Sequence, residues 1–181
     1  MRNVSIFACD PGGNSGLAWG TFPVGYGMSV YDSFKLRIDD GSDTLDGSES
    51  SQALAIAELW RQFLREKVKK NQMEPERVEF VMEDFVLRPG AHGGGKEGTS
   101  PIRIAWGVWG IRVGRSQEFE EWSPNPQTVI QPIIWQLPSE AAGYATSQRL
   151  KDWGVWVRGR EHERSAWCHI AYRLSILNKQ R

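Results

Sequence analysis

Near its start the chain has an apolar run over residues 4–9, broken only by Ser5 and closed by Asp10-Pro11-Gly12-Gly13. A run without polar alternation is a strand covered on both faces, and Asp-Pro-Gly-Gly turns the chain at its end. Residues 15–21 follow closely enough to pair back as a hairpin. Residues 29–38 alternate imperfectly through Val30, Ser33, Phe34, Leu36 and Ile38, which predicts a third strand at an edge, and the acidic, Ser-rich stretch 39–51 predicts a loop. From Ser51 the period becomes helical through Leu54, Ala57, Trp60, Phe63, Leu64 and Val68, with Lys67, Lys69 and Lys70 suiting the C-terminal end of the dipole.

Residues 77–86 predict another buried strand with Glu83 and Asp84 near its end, and residues 90–98 a loop. Thr99-Ser100-Pro101 opens a predicted helix over 102–113, because proline suits a first turn. A short strand over 128–131 and helical turns from Ser139 or Thr146 come next. A long helix over 161–177, with Trp167, Ile170, Leu174 and Leu177 as its apolar ridge, ends the pattern. The order predicts one α/β domain over residues 1–181, with a central mixed five-stranded sheet of three antiparallel strands and then parallel ones, flanked by helices.

Composition agrees with a packed domain: 181 residues, 40% hydrophobic and 24% charged, suffice to bury a core without disulfide or structural metal. Cys9 and Cys168 are therefore expected as free thiols. No run approaches the length of a membrane span and the N-terminus lacks a signal-peptide core, so a cytoplasmic location is expected and no membrane partner. The net charge of zero excludes a uniformly basic nucleic-acid coat. It conceals an asymmetry, with 3 basic against 8 acidic side chains in residues 1–58 and 8 against 3 in residues 147–181.

Candidate chemistry lies at element ends. Asp10 ends the first strand, Glu83 the fourth, and His162 falls in the first turn of the last helix. C-terminal ends of neighbouring parallel strands converge on one edge, and carboxylates brought together there repel unless a cation, commonly a hard divalent one, lies between them. Taken singly, Asp-Pro-Gly is a turn signal and a strand-end Glu is a solvated side chain; the conjunction carries the weight. His169 reads as packing against Trp167 rather than supporting a site, and Phe85 as a buried strand residue rather than a base-stacking one.

The run from Ile6 to Gly20, with Asp10-Pro11-Gly12-Gly13-Asn14-Ser15-Gly16 at its centre, resembles the opening hairpin of RuvC-type Holliday-junction resolvases. Phe80-Val81-Met82-Glu83-Asp84-Phe85 resembles the family's second acidic strand, and the run from Arg160 to His169 resembles the closing helix of its phage members. The resemblance implies an RNase H-like fold and a metal-dependent endodeoxyribonuclease that cleaves branched DNA. It also implies two Mg²⁺ or Mn²⁺ ions, a homodimer, and, for a phage-encoded member, the host cytoplasm. Asp10 would bridge the metals, with Glu83 and His162 as further ligands. Phosphodiester hydrolysis would then proceed by in-line attack, leaving 5′-phosphate and 3′-hydroxyl ends.

Two positions depart from the pattern. Ser165 stands where the family has its fourth, acidic ligand, leaving Glu161 or Asp84 to supply the charge. Ala142, in Pro138-Ser139-Glu140-Ala141-Ala142, stands where a phage-type lysine would be. Arg88, Lys96, Arg103, Arg158, Arg160 and Arg164 are the candidate DNA-binding cations. Gly90, Gly95 and Lys96 have the spacing of a phosphate-binding loop, but Glu97 replaces the hydroxyl that would meet Mg²⁺, which makes that reading poor. Of the 9 Trp, most are expected in the core or a subunit interface. Two other readings stay open: a branched-DNA-binding protein whose chemistry has decayed, and an actin-like ATPase, against which Pro11 and the single small unit count.

Overall fold

The computed structural model describes residues 2–70, 77–84, 96–114 and 132–179. Its elements run β1 (Arg2–Asp10), β2 (Ser15–Val24), α1 (Val30–Lys35), β3 (Ile38–Leu45), α2 (Glu49–Lys70), β4 (Arg77–Glu83), α3 (Lys96–Gly114), β5 (Ile134–Gln136), α4 (Pro138–Tyr144), α5 (Ser147–Asp152) and α6 (Glu161–Leu177). The five strands form one sheet in the order β3-β2-β1-β4-β5. β1, β2 and β3 pair antiparallel, while β4 and β5 join β1 in parallel. That is the expected mixed five-stranded sheet, with three antiparallel strands and two parallel ones, flanked by helices.

β1 is apolar on both faces because both are covered. Val4, Ile6 and Ala8 join Ala18, Phe22 and Val81 beneath α6, with Ala166, Ile170, Ala171 and Leu174. Phe7 and Cys9 face the other way, into Leu17, Phe80 and Met82 and the residues of α2 and α3. There Trp60 stacks on Phe80 at 5.0 Å and Phe7 meets Phe80 edge-on at 5.3 Å. The buried hydroxyls of Ser5 and Thr21, directly paired across β1 and β2, satisfy each other at 2.9 Å.

Two expectations are corrected, and a third falls outside the described residues. Residues 30–35 form a helix, not an edge strand, because Ser29 and Asp32 make a reciprocal capping box that favours the first helical turn. The edge strand lies further on, over Ile38–Leu45, where a loop was expected; it lacks alternation because it is exposed along most of its length and pairs through its backbone. Its tie to the body is the buried Glu163, whose carboxylate accepts from Ser42 Oγ at 2.5 Å, from Thr44 Oγ1 at 2.9 Å and from Arg160. The last strand is Ile134–Gln136, beyond the expected 128–131, which lies outside the described residues.

Other boundaries moved less. α2 starts two residues before Ser51, with Ser48 Oγ accepting from the Ser51 N–H at 3.2 Å. β4 ends at Glu83, and Phe85 lies outside the described residues. α3 starts at Lys96 rather than after Pro101, which sits inside it and forfeits one backbone bond. Gly107, unfavourable in a helix by propensity, is where α2 crosses: a Cβ there would lie 2.8 Å from the Ala53 Cβ. Thr146 caps α5, and α6 has the expected bounds. Among the described residues no helix is long and apolar enough to cross a membrane.

Gly16 decides where α6 sits. A Cβ on it would fall 2.0 Å from the carbonyl carbon and oxygen of His162 and 2.7 Å from the Glu163 nitrogen, so the first turn of α6 lies directly on the β2 backbone. Gln52 steadies the preceding turn, with Nε2 donating to Gly13 O at 2.9 Å and to Gly47 O at 3.0 Å. Gly16→Ala is expected to destabilise the fold by at least the ~1–3 kcal/mol of an overpacked core site. Gly13→Ala, with nothing within 4 Å of the added carbon, should be near neutral. Denaturant unfolding of the two variants compares them directly.

Candidate active site

The parallel registers put three polar residues at the C-terminal edge of adjacent strands. Cys9 of β1 pairs with Met82 of β4, which carries Asp10 and Glu83 to the edge together, and Glu83 pairs with Gln136 of β5. Side chains alternate along a strand, so Asp10, Glu83 and Gln136 share the α6 side with Ala8, Val81 and Ile134. All three are buried. Over them, α6 presents His162, Ser165 and His169, residues spaced to recur on one helix face.

Each α6 side chain has a partner. His162 Nδ1 lies 3.7 Å from Asp10 Oδ2, with its ring 43% exposed. Ser165 Oγ donates to Glu83 Oε2 at 3.3 Å and also engages Asp10. His169, fully buried, places Nε2 2.9 Å from Glu83 Oε2 and Nδ1 3.1 Å from Gln136 Oε1. With the amide of Gln136 turned so that Nε2 donates to Nδ1, a neutral imidazole satisfies both contacts and donates Nε2–H to Glu83. The opposite orientation leaves the buried Gln136 Nε2 without a partner.

Asp10 and Glu83 are the electrostatic centre. Asp10 is pushed up to about 8 from 3.8, first by burial and then by the Glu83 carboxylate, with the Ser165 hydroxyl pulling the other way. Two buried acids facing each other cannot both be charged unless a cation joins them. Both cysteines border this region as buried thiols: burial, with the nearby acids adding to it, raises Cys9 well above its usual range and Cys168 to about 11.

The other candidates fall elsewhere. Glu161, expected on the same face, is 81% exposed and pairs with Arg164 at 3.4 Å, so it does not join the acids. Asp84 follows Glu83 and lines a separate cavity with it. Among the described residues no group of three or more His, Cys, Asp or Glu side chains stands where it could share one ion. The trio Asp10, Glu83 and His162 therefore does not close on one point; His162 reaches Asp10. Ala142 is exposed on α4.

Of the cations, Arg164 donates to Val157 O at 2.8 Å and lies over Trp156, Arg160 pairs with Glu163, and Arg103 pairs with Glu49 at 3.4 Å. Arg158 is exposed, Lys96 is the first residue of α3, and Arg88 lies outside the described residues.

The sequence reading gave His169 to packing against Trp167 rather than to the site, where it bonds Glu83, and it missed Gln136. A histidine seven residues after His162 on the same face was a usable signal; Gln136 carried none, because its strand is three residues long. Trp106, Trp109 and Trp135, expected in a core or interface, are exposed in this chain.

No family model matches the sequence, and comparison with curated proteins finds no match. Among solved structures the chain is similar to T. thermophilus RuvC in complex with Holliday junction substrate, at 11% identity and a TM-score of 0.46, covering 95% of this chain and 92% of that one.

Two measurements follow from the electrostatics. Between 3.8 and about 8 the folded protein holds a proton on Asp10 that the unfolded chain releases, so this group lowers stability as pH rises through that window. The slope is at most ~1.4 kcal/mol per pH unit for one group. Asp10→Asn should flatten it, as read by urea midpoints at pH 5 to 8. His169→Ala should cost ~1–3 kcal/mol by removing Glu83's buried donor, whereas Ser165→Ala should cost less.

Proposed function

We propose that this protein is a metal-dependent endonuclease acting on branched DNA, the Holliday junction included. The observation that carries the reading is the buried Asp10–Glu83 pair at the C-terminal edge of the parallel strands, with Asp10 raised to about 8. A structural pair would be spared that cost by a permanent ion partner from the protein, as Glu79 is by Arg173 at 2.7 and 2.8 Å. The two carboxylates, Asp10 and Glu83, are the oxygen donors that suit a hard divalent cation such as Mg²⁺ or Mn²⁺, with the rest of its shell left to water and phosphate.

Asp10 and Glu83 would hold that cation, which supplies Lewis acidity and charge neutralisation at a phosphodiester. The chain's own residues do the rest. His169 and Ser165 fix one oxygen of Glu83, and Gln136 holds the His169 ring from behind, so the carboxylate is presented in one orientation. His162, half-exposed beside Asp10, stands at the solvent edge where it can pass a proton to or from a bound phosphate ester. The basic C-terminal segment, residues 147–181, with Arg158 exposed near the start of α6, supplies attraction for the DNA backbone. A homodimer would let two such sites address two strands.

Ser165 is the weak point of the set, and it separates an active nuclease from a binding protein of the same fold. Cleavage of a synthetic four-way junction in Mg²⁺ is expected from the wild type and absent from Asp10→Asn, which should still bind the junction in Ca²⁺. Wild-type binding without cleavage would favour the binding-only reading, and no selectivity over linear duplex would defeat both. Ser165→Asp adds a third carboxylate to the pair. It should lower stability in EDTA and reduce the Mg²⁺ concentration needed for cleavage, which metal titrations with thermal unfolding can read.

A further inference from the structure

A cavity of about 500 Å³ opens beside the acidic pair. One wall is a face of α3, formed by Ile102, Ala105, Trp106 and Trp109; the other is the strand edge, formed by Glu83, Asp84 and Trp135. Its three indoles are unusually open for their size, with Trp106 64% exposed and Trp109 and Trp135 each 45%. Trp106 and Trp109 meet edge-to-face at 5.5 Å, so one of the two indoles keeps both of its faces clear of the other. Such exposure beside a functional site is an unspent binding surface.

The lining also restricts what enters. Among the described residues it contains no cation, and its two charged residues are acids, which disfavour a phosphate. A flat, neutral ring with apolar faces and N–H donors on its edge is accepted on both counts. Glu83 belongs to the cavity and to the acidic pair alike, so an occupant sits next to the phosphodiester that the pair would address.

Resting on the branched-DNA reading above, we infer that the Trp106–Trp109–Trp135 cavity receives one unstacked base of the DNA strand, next to the scissile phosphate, with Asp84 reading its edge. A carboxylate only accepts hydrogen bonds, so it ranks the bases by their donors. Guanine offers N1–H and N2–H₂ side by side to the two oxygens. Adenine and cytosine offer one amino group each. Thymine sets its single N3–H between two carbonyls that a carboxylate repels. The expected order is guanine first, adenine and cytosine next, thymine last. Stacking on indole supports every base, so the carboxylate supplies discrimination and the tryptophans supply affinity.

The test uses four-way junctions carrying 2-aminopurine at single positions around the branch point, bound in Ca²⁺ by the cleavage-blocked Asp10→Asn protein. One position should show fluorescence quenched by stacking. Trp106→Ala and Trp109→Ala should abolish that quenching and weaken junction binding about tenfold or more. Both side chains are exposed, so the fold should survive, and Trp106→Phe should retain part of the quenching. In a parallel competition series with each base at that position, the guanine preference should disappear in Asp84→Asn.

Junction binding without a position-specific change in fluorescence would overturn the base pocket and leave the nuclease reading standing. A wild-type protein that binds no branched DNA would overturn both. Tryptophan variants that turn a dimer into a monomer while base preference is unchanged would assign the indoles to a subunit interface and overturn the proposal.

Discussion

The close approach of α6 to β2 at Gly16 is the constraint on which the rest of the site depends. With no side chain there, the His162 carbonyl and the Glu163 nitrogen sit on the strand backbone, and the helix crosses the sheet at a fixed height. Every α6 contact follows from that height. His162 comes down beside Asp10, Glu163 reaches the hydroxyls of β3, and Ser165 and His169 arrive over Glu83. Raising the helix by the thickness of a methyl group would loosen all of these at once. The glycine is paired with Asp10 across the hairpin, so one segment of seven residues provides both the acid and the room for its neighbours.

Burying Asp10 against Glu83 works against stability, and the surroundings relieve it only in part. Ser165 and His169 bring hydroxyl and imidazole donors, each able to favour a charged carboxylate, yet Asp10 still holds its proton to about 8. The contrast with Glu79 is instructive. That carboxylate is equally buried in β4, but Arg173 grips it with two hydrogen bonds and Arg77 adds a third contact at 2.5 Å, so its charge is matched within the chain. β4 therefore carries in its middle an acid matched by two arginines and at its end one whose partners within the chain are a hydroxyl and an imidazole.

The two faces of the sheet divide the aromatic residues by role. On the α6 side Phe34 stacks with Trp153 at 4.8 Å and borders Trp167 at 6.0 Å, filling the space under the helix. On the other side Trp60 and Phe7 close the core beneath α2 and α3. The outer face of α3 instead carries Trp106 and Trp109 into the open beside the strand edge. Acidic pair and aromatic cavity thus border one edge of the sheet in sequence-distant pieces, which topology assembles.

The sequence by itself determined the central strands, the three longest helices and the convergence of Asp10 with Glu83, because continuous apolar runs and helical periods are local consequences of burial. It also set Ser165 on one helix face with His162 and His169. Only the tertiary structure decided the edge strand, since residues 38–45 are held by backbone pairing and by Glu163 from the far end of the chain, neither of which leaves a hydrophobic pattern. The same holds for Gln136, for the role of His169, and for the exposure of Trp106, Trp109 and Trp135. A buried histidine packs or hydrogen-bonds according to what faces it, and a tryptophan is core or surface according to which helix face another element covers. Those facing groups come from β4, β5 and α2, tens of residues away, and no local pattern records them.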